Sequence, residues 1–220
     1  VVYWVMDLNP DQIIATGKMR ENSLAAKLSG YVLRCTLRNS EKVVAMDSFM
    51  AERLERKVPL GPKLSVIPPW PYEDQLADIP HSDNPFRRIH KLEDRFVVMY
   101  SGNITDVHPL TTLLEAMDRL REDSGFTFVF IGASAARRKI DAYAMERGLR
   151  NVLSLGYVPL EETRFSLSAA DLHVVTMGDA MVGIVHPCKV YGIMSVGRPF
   201  LAIGPKKSHL GEILSSSPVG

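Results

Sequence analysis

The stretch FVVMYSGNITDVHPLTTLLEAM, residues 96 to 117, joins a glycine turn to the predicted start of a helix. An apolar run ends at Ser101-Gly102-Asn103 and leucines then recur at helical spacing, so a strand is predicted to pass through a turn into a helix. Backbone N–H groups at a helix start can bind an anion, and glycine lets a ligand approach closely. A phosphate is therefore the first candidate ligand, and a plain strand-to-helix connection is the alternative.

The remaining chemistry-bearing residues form no recognisable catalytic or metal-binding pattern. The six histidines are scattered without ligand spacing, so no metal site is predicted. His173 lies within a predicted strand and is expected to be a buried or half-buried histidine. Cys188 precedes a predicted helix, but no nucleophile architecture surrounds it, so catalysis by its thiol is not predicted.

Two common phosphate-binding motifs are absent. A dinucleotide fold would carry G-x-G-x-x-G after its first strand and an acidic residue near the end of the second, and neither is found. The pattern G-x-x-x-x-G-K-[ST] of the phosphate-loop NTPases is also missing. If the predicted turns bind a phosphate, they must do so through a different motif.

Composition limits the function classes. The chain has 220 residues, 46% of them hydrophobic, and a net charge of +1 from 26 basic and 25 acidic residues, which gives no electrostatic case for nucleic acid. The sequence contains no run of about 18 apolar residues, so no membrane span is predicted. The start VVYWVMDLNPD has neither the basic region nor the cleavage site of a signal peptide. Two distant cysteines fit reduced thiols, which predicts a cytoplasmic protein.

Prolines divide the chain into two predicted parts. Seven prolines lie between residues 58 and 90, and such density predicts an extended connector between domains, with a boundary near residue 86. Residues 1–85 are expected to be the tail of one α/β domain plus the linker, and residues 86–220 a second domain. Because the chain starts on an apolar run and stops just after a predicted helix, we expect a fragment, truncated at both ends.

Strand and helix patterns alternate throughout. After residue 86, five apolar strand segments are separated by single predicted helices, which is typical of a doubly wound parallel sheet. The first of these helices is predicted over about residues 107–122, with Asp106 as its N-cap. Its apolar stripe, expected to face the core, consists of Leu110, Leu113, Leu114, Met117 and Leu120.

Open parallel sheets bind ligands beyond the carboxyl ends of their strands. Four predicted turns lie there, and each contains glycine. They are Ser101-Gly102-Asn103, Gly132-Ala133-Ser134, Gly156-Tyr157-Val158-Pro159, and the stretch from Gly178 to Cys188.

Taken in order, these segments resemble a known family. YSGN with a leucine-rich helix, FVFIG, LGYVP, AADLHVV and HPCKVYGIMSVGRPFLAIG are similar to the donor-binding half of the retaining GT-B glycosyltransferases. The P-C-K-V-Y segment narrows the resemblance to family 4 (group 1) enzymes of bacterial polysaccharide assembly. The resemblance covers residues 96 to 220, and residues 1 to 85 resemble the tail of the acceptor domain, with Val5 to Asp11 as its "v-D-x-x-P-D" strand end.

The resemblance implies a nucleotide-diphosphate sugar, UDP-linked, bound without a metal ion or cofactor. Its diphosphate would lie at the first and fourth turns, near Gly102, Asn103 and His108. The fourth turn would contribute the ammonium of Lys189, the N–H groups of Cys188, Lys189 and Val190, and the helix dipole, with His186 and Pro187 beside them. The base and ribose are expected near Gly132, Gly156, Tyr157 and Val158.

Several positions depart from the family pattern. The family's usual first loop is G-R-x-x-x-x-K-G, and this chain has Asn103 at the position of the arginine and His108 at the position of the lysine. His108 could act as a cation only if phosphates raise its pKa, whereas Asn103 donates only neutral hydrogen bonds. Ile184 and Gly192 replace the glutamates of the usual Glu-x7-Glu pair, so Lys189 is expected to carry most of the charge.

The implied function is transfer of a glycosyl unit, with retention, to a lipid- or saccharide-linked acceptor in surface polysaccharide biosynthesis, while the fragment alone binds only the donor. Alternatives are a nucleotide-sugar 2-epimerase and a non-catalytic sugar-nucleotide-binding or scaffold domain. The catalytic residues are not identified, nucleic acid is not an expected partner, and the missing N-terminal domain could contact the inner face of the membrane peripherally.

Overall fold

The computed structural model describes residues 1–70, 78–105, 107–132 and 135–216. Its strands are β1 (Val2–Trp4), β2 (Lys42–Ala45), β3 (Leu64–Val66), β4 (Phe96–Ser101), β5 (Phe126–Ile131), β6 (Val152–Leu155), β7 (Leu172–Thr176) and β8 (Phe200–Ile203). Its α-helices are α1 (Asp11–Ala15), α2 (Leu24–Asn39), α3 (Ser48–Lys57), α4 (Pro85–Ile89), α5 (Thr111–Arg119), α6 (Ala135–Glu146), α7 (Thr163–Ser168), α8 (Lys189–Ser195) and α9 (His209–Ser216). Within the described ranges, no helix has the length and hydropathy needed to cross a membrane.

The chain forms two compact units, each built on a parallel sheet. Unit 1 contains Val1–Trp70, Met177–Pro187 and Gly204–Ser216, and its sheet has the order β1-β2-β3. Unit 2 contains the described residues of 71–176 and Cys188–Ile203, and its sheet has the order β6-β5-β4-β7-β8. The pairings between these strands are parallel, so the predicted α/β class and parallel sheet are confirmed.

The prediction divides the chain once, near residue 86, whereas each observed unit contains more than one chain segment. Residues 177–187 and 204–216 follow β7 and β8 in sequence, yet they belong to unit 1. Backbone pairing explains the first of these assignments, because Asp7 bridges Val185 and the Leu8 amide donates to the Ile184 carbonyl at 2.9 Å. These contacts join residues that are far apart in sequence, so no local pattern indicates them.

Helix boundaries follow local capping chemistry. The Ser23 side chain accepts a hydrogen bond from the Ala26 amide and so caps the start of α2. Helix α5 is shorter than predicted and begins at Thr111, because Pro109 disfavours helical geometry at the residue before it. Asp106, its predicted cap, lies outside the described residues. Helix α4 was not predicted, although Asn84 caps it and Pro85 occupies its first turn.

The sheet of unit 2 has a hydrophobic cluster on each face. The predicted stripe of α5 packs into one cluster, where Leu110, Leu113 and Met117 are buried and Leu114 and Leu120 are partly buried. The other cluster contains Phe86 of α4 together with Val97 and Met99 of β4. Because both faces of the sheet are covered, β4 lies inside the fold and its carboxyl end is held rigidly.

Candidate functional site

The first turn begins where β4 ends and packs directly against the second. Gly102 has φ +122°, and its amide donates to the Ile131 carbonyl at 2.9 Å. Gly132 has φ +150°, and a Cβ atom placed there would collide with the carbonyl oxygen of Gly102. Both positions therefore require glycine, one for its backbone conformation and the other for conformation and space.

Lys189 brings a buried ammonium to this turn. Its Nζ lies 3.7 Å from the centroid of the Tyr100 ring and 3.5 Å from where a Cβ atom on Gly102 would be. The side chain as a whole is partly exposed, but the Nζ atom is buried and has no hydrogen-bond partner among the described residues. Burial lowers the pKa of Lys189 to about 7. An anion here would supply the missing hydrogen bonds and restore the charge.

Tyr100 supports the turn as a neutral group. Its hydroxyl donates to the carbonyl oxygen of Asn103 at 3.1 Å, and burial raises its pKa to about 12. The ring therefore offers Lys189 an aromatic face while the hydroxyl fixes the backbone that follows Gly102. This arrangement positions the ammonium without neutralising it.

The third turn reaches the first through Tyr157. Its hydroxyl donates to the side-chain carbonyl oxygen of Asn103, and Tyr157 is 59% exposed. Gly156 is also exposed. In contrast, Val158 packs against the cluster beneath the sheet, so its side chain contributes to the core. The structure thus brings Gly102, Asn103, Gly132, Tyr157 and Lys189 together at the carboxyl ends of the strands.

His108 is held near Lys189 as a neutral histidine. Its Nδ1 lies 2.8 Å from the carbonyl oxygen of Thr176, which fixes Nδ1 as the donor of the neutral ring. Burial, and then the nearby Lys189 charge, lower the pKa of His108 to about 4. This direction is opposite to the one that a cationic role would require. His173 is fully buried as predicted, with Nε2 2.9 Å from the Leu167 carbonyl oxygen.

The predicted fourth turn is divided between the units. Cys188, Lys189 and Val190 belong to unit 2, where Lys189 is the first residue of α8 and the Val190 side chain is fully buried. His186 and Pro187 are buried in unit 1. The His186 Nδ1 lies 2.7 Å from the Oδ2 atom of Asp47. The side chain of His186 is thus engaged within unit 1.

A second cluster of polar side chains was missed by the sequence analysis. Asp47, His186 and His209 each offer one potential metal ligand, and the three atoms lie within 4.8 Å of one another. The rings of His186 and His209 are 4.3 Å apart between centroids, tilted by 39°. Three separate chain segments contribute these residues, so no ligand spacing could be read from the sequence.

Comparison with known proteins finds similarity to glycosyltransferases along most of the chain. The sequence profile of the family "Glycosyl transferases group 1" matches residues 82–202. WbjE of Pseudomonas aeruginosa, named as a probable glycosyltransferase, is 25% identical over 99% of this chain and 55% of its own length. WcaI of Escherichia coli K12, named for glycosyl transfer in colanic acid biosynthesis, is 24% identical over 99% of the chain and 54% of its own length. The chain therefore spans about half the length of these relatives.

Solved structures share the fold. HepE of Anabaena, crystallised with UDP and glucose, superposes with a TM-score of 0.70 at 16% identity, covering 92% of this chain and 53% of HepE. The lipopolysaccharide glycosyltransferase WaaG superposes with a TM-score of 0.72 at 20% identity, covering 91% of this chain and 55% of WaaG. These similarities support the GT-B arrangement of the described residues. Because the family profile matches more than half of its residues, the chain belongs to the group 1 glycosyl transferases.

Proposed function

We propose that the whole protein transfers a glycosyl unit from a nucleotide-diphosphate sugar, UDP-linked, to a lipid- or saccharide-linked acceptor with retention at the anomeric carbon. The observation that carries this proposal is the buried Lys189 ammonium, which has no hydrogen-bond partner among the described residues and lies beside the Gly102 turn. Membership of the group 1 family and the UDP bound to HepE, a protein of the same fold, support the choice of donor. The names of WbjE and WcaI support a role in polysaccharide assembly.

Lys189 stabilises the leaving diphosphate in this proposal. The bond between the anomeric carbon and the UDP oxygen breaks, the acceptor oxygen bonds to that carbon from the same face, and the acceptor proton leaves with UDP. Negative charge grows on the diphosphate during this step, and a preorganised cation in a partly dry site stabilises it. This role is assigned to Lys189 in place of a metal ion. His108 is neutral and its Nδ1–H donates to the Thr176 carbonyl, so its Nε2 can only accept a hydrogen bond.

The base and ribose are assigned to the third turn. The exposed Tyr157 provides an aromatic face at the side of the Gly102 turn, and its hydroxyl orients the Asn103 amide. Gly192 occupies the position where relatives of this type carry a ribose-binding glutamate. Recognition of the nucleoside therefore depends on Tyr157 and on backbone groups of the turns, which include Gly132 and Gly156. A carboxylate contributes less.

Calorimetric titration of this chain with UDP and UMP tests the diphosphate assignment. The second phosphate is the group assigned to Lys189, so UDP should bind about 10- to 150-fold more tightly than UMP, as expected for hydrogen bonds to charged groups. Equal affinities would refute the assignment.

Activity is tested with the whole protein and a panel of nucleotide sugars. Acceptor-dependent release of UDP, with NMR showing that the product keeps the donor's anomeric configuration, is the expected result. Inversion at C2 of the donor sugar without an acceptor would indicate an epimerase. Tight UDP-sugar binding without turnover would indicate a non-catalytic domain, a function that the neutral Asn103 and Gly192 positions also permit.

A further inference from the structure

Three segments of unit 1 meet at the cluster of Asp47, His186 and His209. Asp47 follows β2 and caps α3, His186 lies in the segment 177–187, and His209 begins α9. Asp47 and His186 are buried, with exposures of 3% and 5%, and His209 is partly buried. Two imidazoles and a carboxylate gathered in one buried place form a set of groups that proteins use for metal ions.

We propose that Asp47, His186 and His209 bind a divalent transition-metal ion of the zinc type. Imidazole nitrogen and carboxylate oxygen are ordinary zinc ligands at about 2.0–2.2 Å, which places the ligand atoms of a tetrahedral site roughly 3.4 Å apart. The Asp47 Oδ2 and His186 Nδ1 atoms, now 2.7 Å apart, would separate slightly, and the three atoms already lie within 4.8 Å of one another. Three protein ligands leave the fourth position to water or another small ligand.

The surroundings of Asp47 favour this site. The Oδ1 atom of Asp47 accepts the amide of Met50 at 2.8 Å, so the carboxylate is held in one orientation while Oδ2 faces His186. Outer contacts of this kind orient metal ligands and raise their affinity. The Glu212 carboxylate, 3.8 Å from the His209 Nδ1 and hydrogen-bonded by Ser48, adds a second negative charge near the cluster. Two carboxylates and two imidazoles gathered in one place suit a dication.

A bound ion would connect β2, the segment 177–187 and α9, which are separate along the chain. Metal binding that requires the folded arrangement of its ligands stabilises that arrangement. The inferred ion thus stabilises the fold of unit 1, and it takes no part in the proposed glycosyl transfer, in which Lys189 acts. The two proposals rest on different residues and can fail separately.

Zinc titration of the chelator-treated full chain tests the site directly. Competition with a chromophoric chelator should give one tightly bound Zn²⁺ per chain, and Co²⁺ should give the visible absorption of a tetrahedral site. At free zinc about 100-fold above its Kd, the thermal midpoint should rise by roughly 5–10 °C relative to the chain in EDTA. Absence of one-to-one binding by the folded parent chain would overturn the proposal and leave the cluster as a hydrogen-bonded stack.

Two variants and a matched control assign the ligands. His209→Gln removes a ligand from a partly buried position, and Asp47→Asn keeps an oxygen that can cap α3 while removing the charge. Each should lower zinc affinity at least about 100-fold, with the fold checked by circular dichroism. His90→Gln changes a partly exposed histidine of unit 2 and should leave zinc affinity unchanged. Parent-like zinc binding by folded His209→Gln would also overturn the assignment. Because no nucleotide is used, neither result affects the proposed donor site.

Discussion

The ammonium of Lys189 lies 3.7 Å from the centre of the Tyr100 ring, with its Nζ atom buried at the turn that follows β4. An aromatic face attracts a cation, but it does not replace the hydrogen bonds that water would provide. The cost of burying this charge is therefore only partly offset in the ligand-free protein. A diphosphate would provide both the counter-charge and the hydrogen-bond acceptors, which makes Lys189 the most informative position to change.

Lys189→Ala should weaken UDP binding by about 1.5–3 kcal/mol, because it removes charge-assisted hydrogen bonds. Asn103→Ala should cost only about 0.5–1.5 kcal/mol, since its amide makes neutral bonds. Calorimetric titration measures both effects, after circular dichroism has shown that the variants are folded. Lys139→Ala, at an exposed position of α6, is the control and should bind as the parent does. If Lys189→Ala binds UDP with parental affinity, the diphosphate lies elsewhere.

The affinity for UDP should fall as pH rises from about 7 to about 9. Burial lowers the pKa of Lys189 to about 7 in the ligand-free chain, and a bound diphosphate must raise it, so binding takes up a proton in this range. His108, with a pKa of about 4, and Tyr100, with a pKa of about 12, stay neutral there. The phosphates of UDP, with a pKa of about 6, are already ionised.

Titrations in buffers of different ionisation enthalpy measure the proton uptake that accompanies UDP binding. Lys189→Arg keeps its charge throughout this pH range and should remove the uptake, and Lys189→Ala should remove it as well. A parent chain whose UDP affinity is independent of pH between about 7 and 9 would show that Lys189 does not titrate on binding.

The sequence predicted the features of unit 2 that depend on nearby residues. Each strand of its sheet appears as an apolar run closed by a turn, and the α5 stripe appears as leucines at helical spacing. The proximity of Lys189 to Gly102 also follows from sequence order, because the carboxyl ends of neighbouring parallel strands share one edge of the sheet. Local patterns were sufficient for the strands and for the α5 stripe, and the general rule for parallel sheets was sufficient for the meeting of Lys189 and Gly102.

Features that depend on distant partners were not predictable. Asp47 and His186 are hydrogen-bonded although 139 residues separate them, and the burial that lowers the pKa of His108 comes from packing around it. Similarly, the segment 177–187 belongs to unit 1 through its backbone pairing with Asp7 and Leu8. Without an observed fold, nothing in the spacing of these residues indicates which ones meet.

Gly132→Ala should destabilise unit 2 more than Gly148→Ala does. Both glycines have positive φ, a conformation that costs an alanine about 1–3 kcal/mol. Open space surrounds Gly148, whereas a Cβ atom on Gly132 would strike the Gly102 carbonyl. Overpacking adds about 1–3 kcal/mol, so Gly132→Ala should show the larger loss in urea unfolding and should also weaken UDP binding. Equal losses of stability would mean that the two turns do not pack as tightly as described.

Arg87→Ala should cost about 3–5 kcal/mol of unfolding free energy, because Arg87 is a buried cation whose removal leaves several polar groups without partners. The Arg87 side chain is 2% exposed, and its guanidinium contacts Asp171 at 3.0 Å and donates to the carbonyl oxygens of Ala169, Leu92 and Arg95. These bonds fasten α4 to the amino-terminal edge of the sheet, where the Asp171 carboxylate also accepts the Val97 amide at 2.7 Å.

The neighbouring residue of the same helix provides the matched control for this last change. Arg88 is exposed, so Arg88→Ala should alter stability by no more than about 0.5 kcal/mol. Arg87→Lys should recover little of the loss, since an ammonium cannot reach all four acceptors that the planar guanidinium contacts. Urea unfolding followed by circular dichroism measures all three variants. A cost for Arg87→Ala as small as that for Arg88→Ala would mean that packing of Phe86, and not the guanidinium network, holds α4 in place.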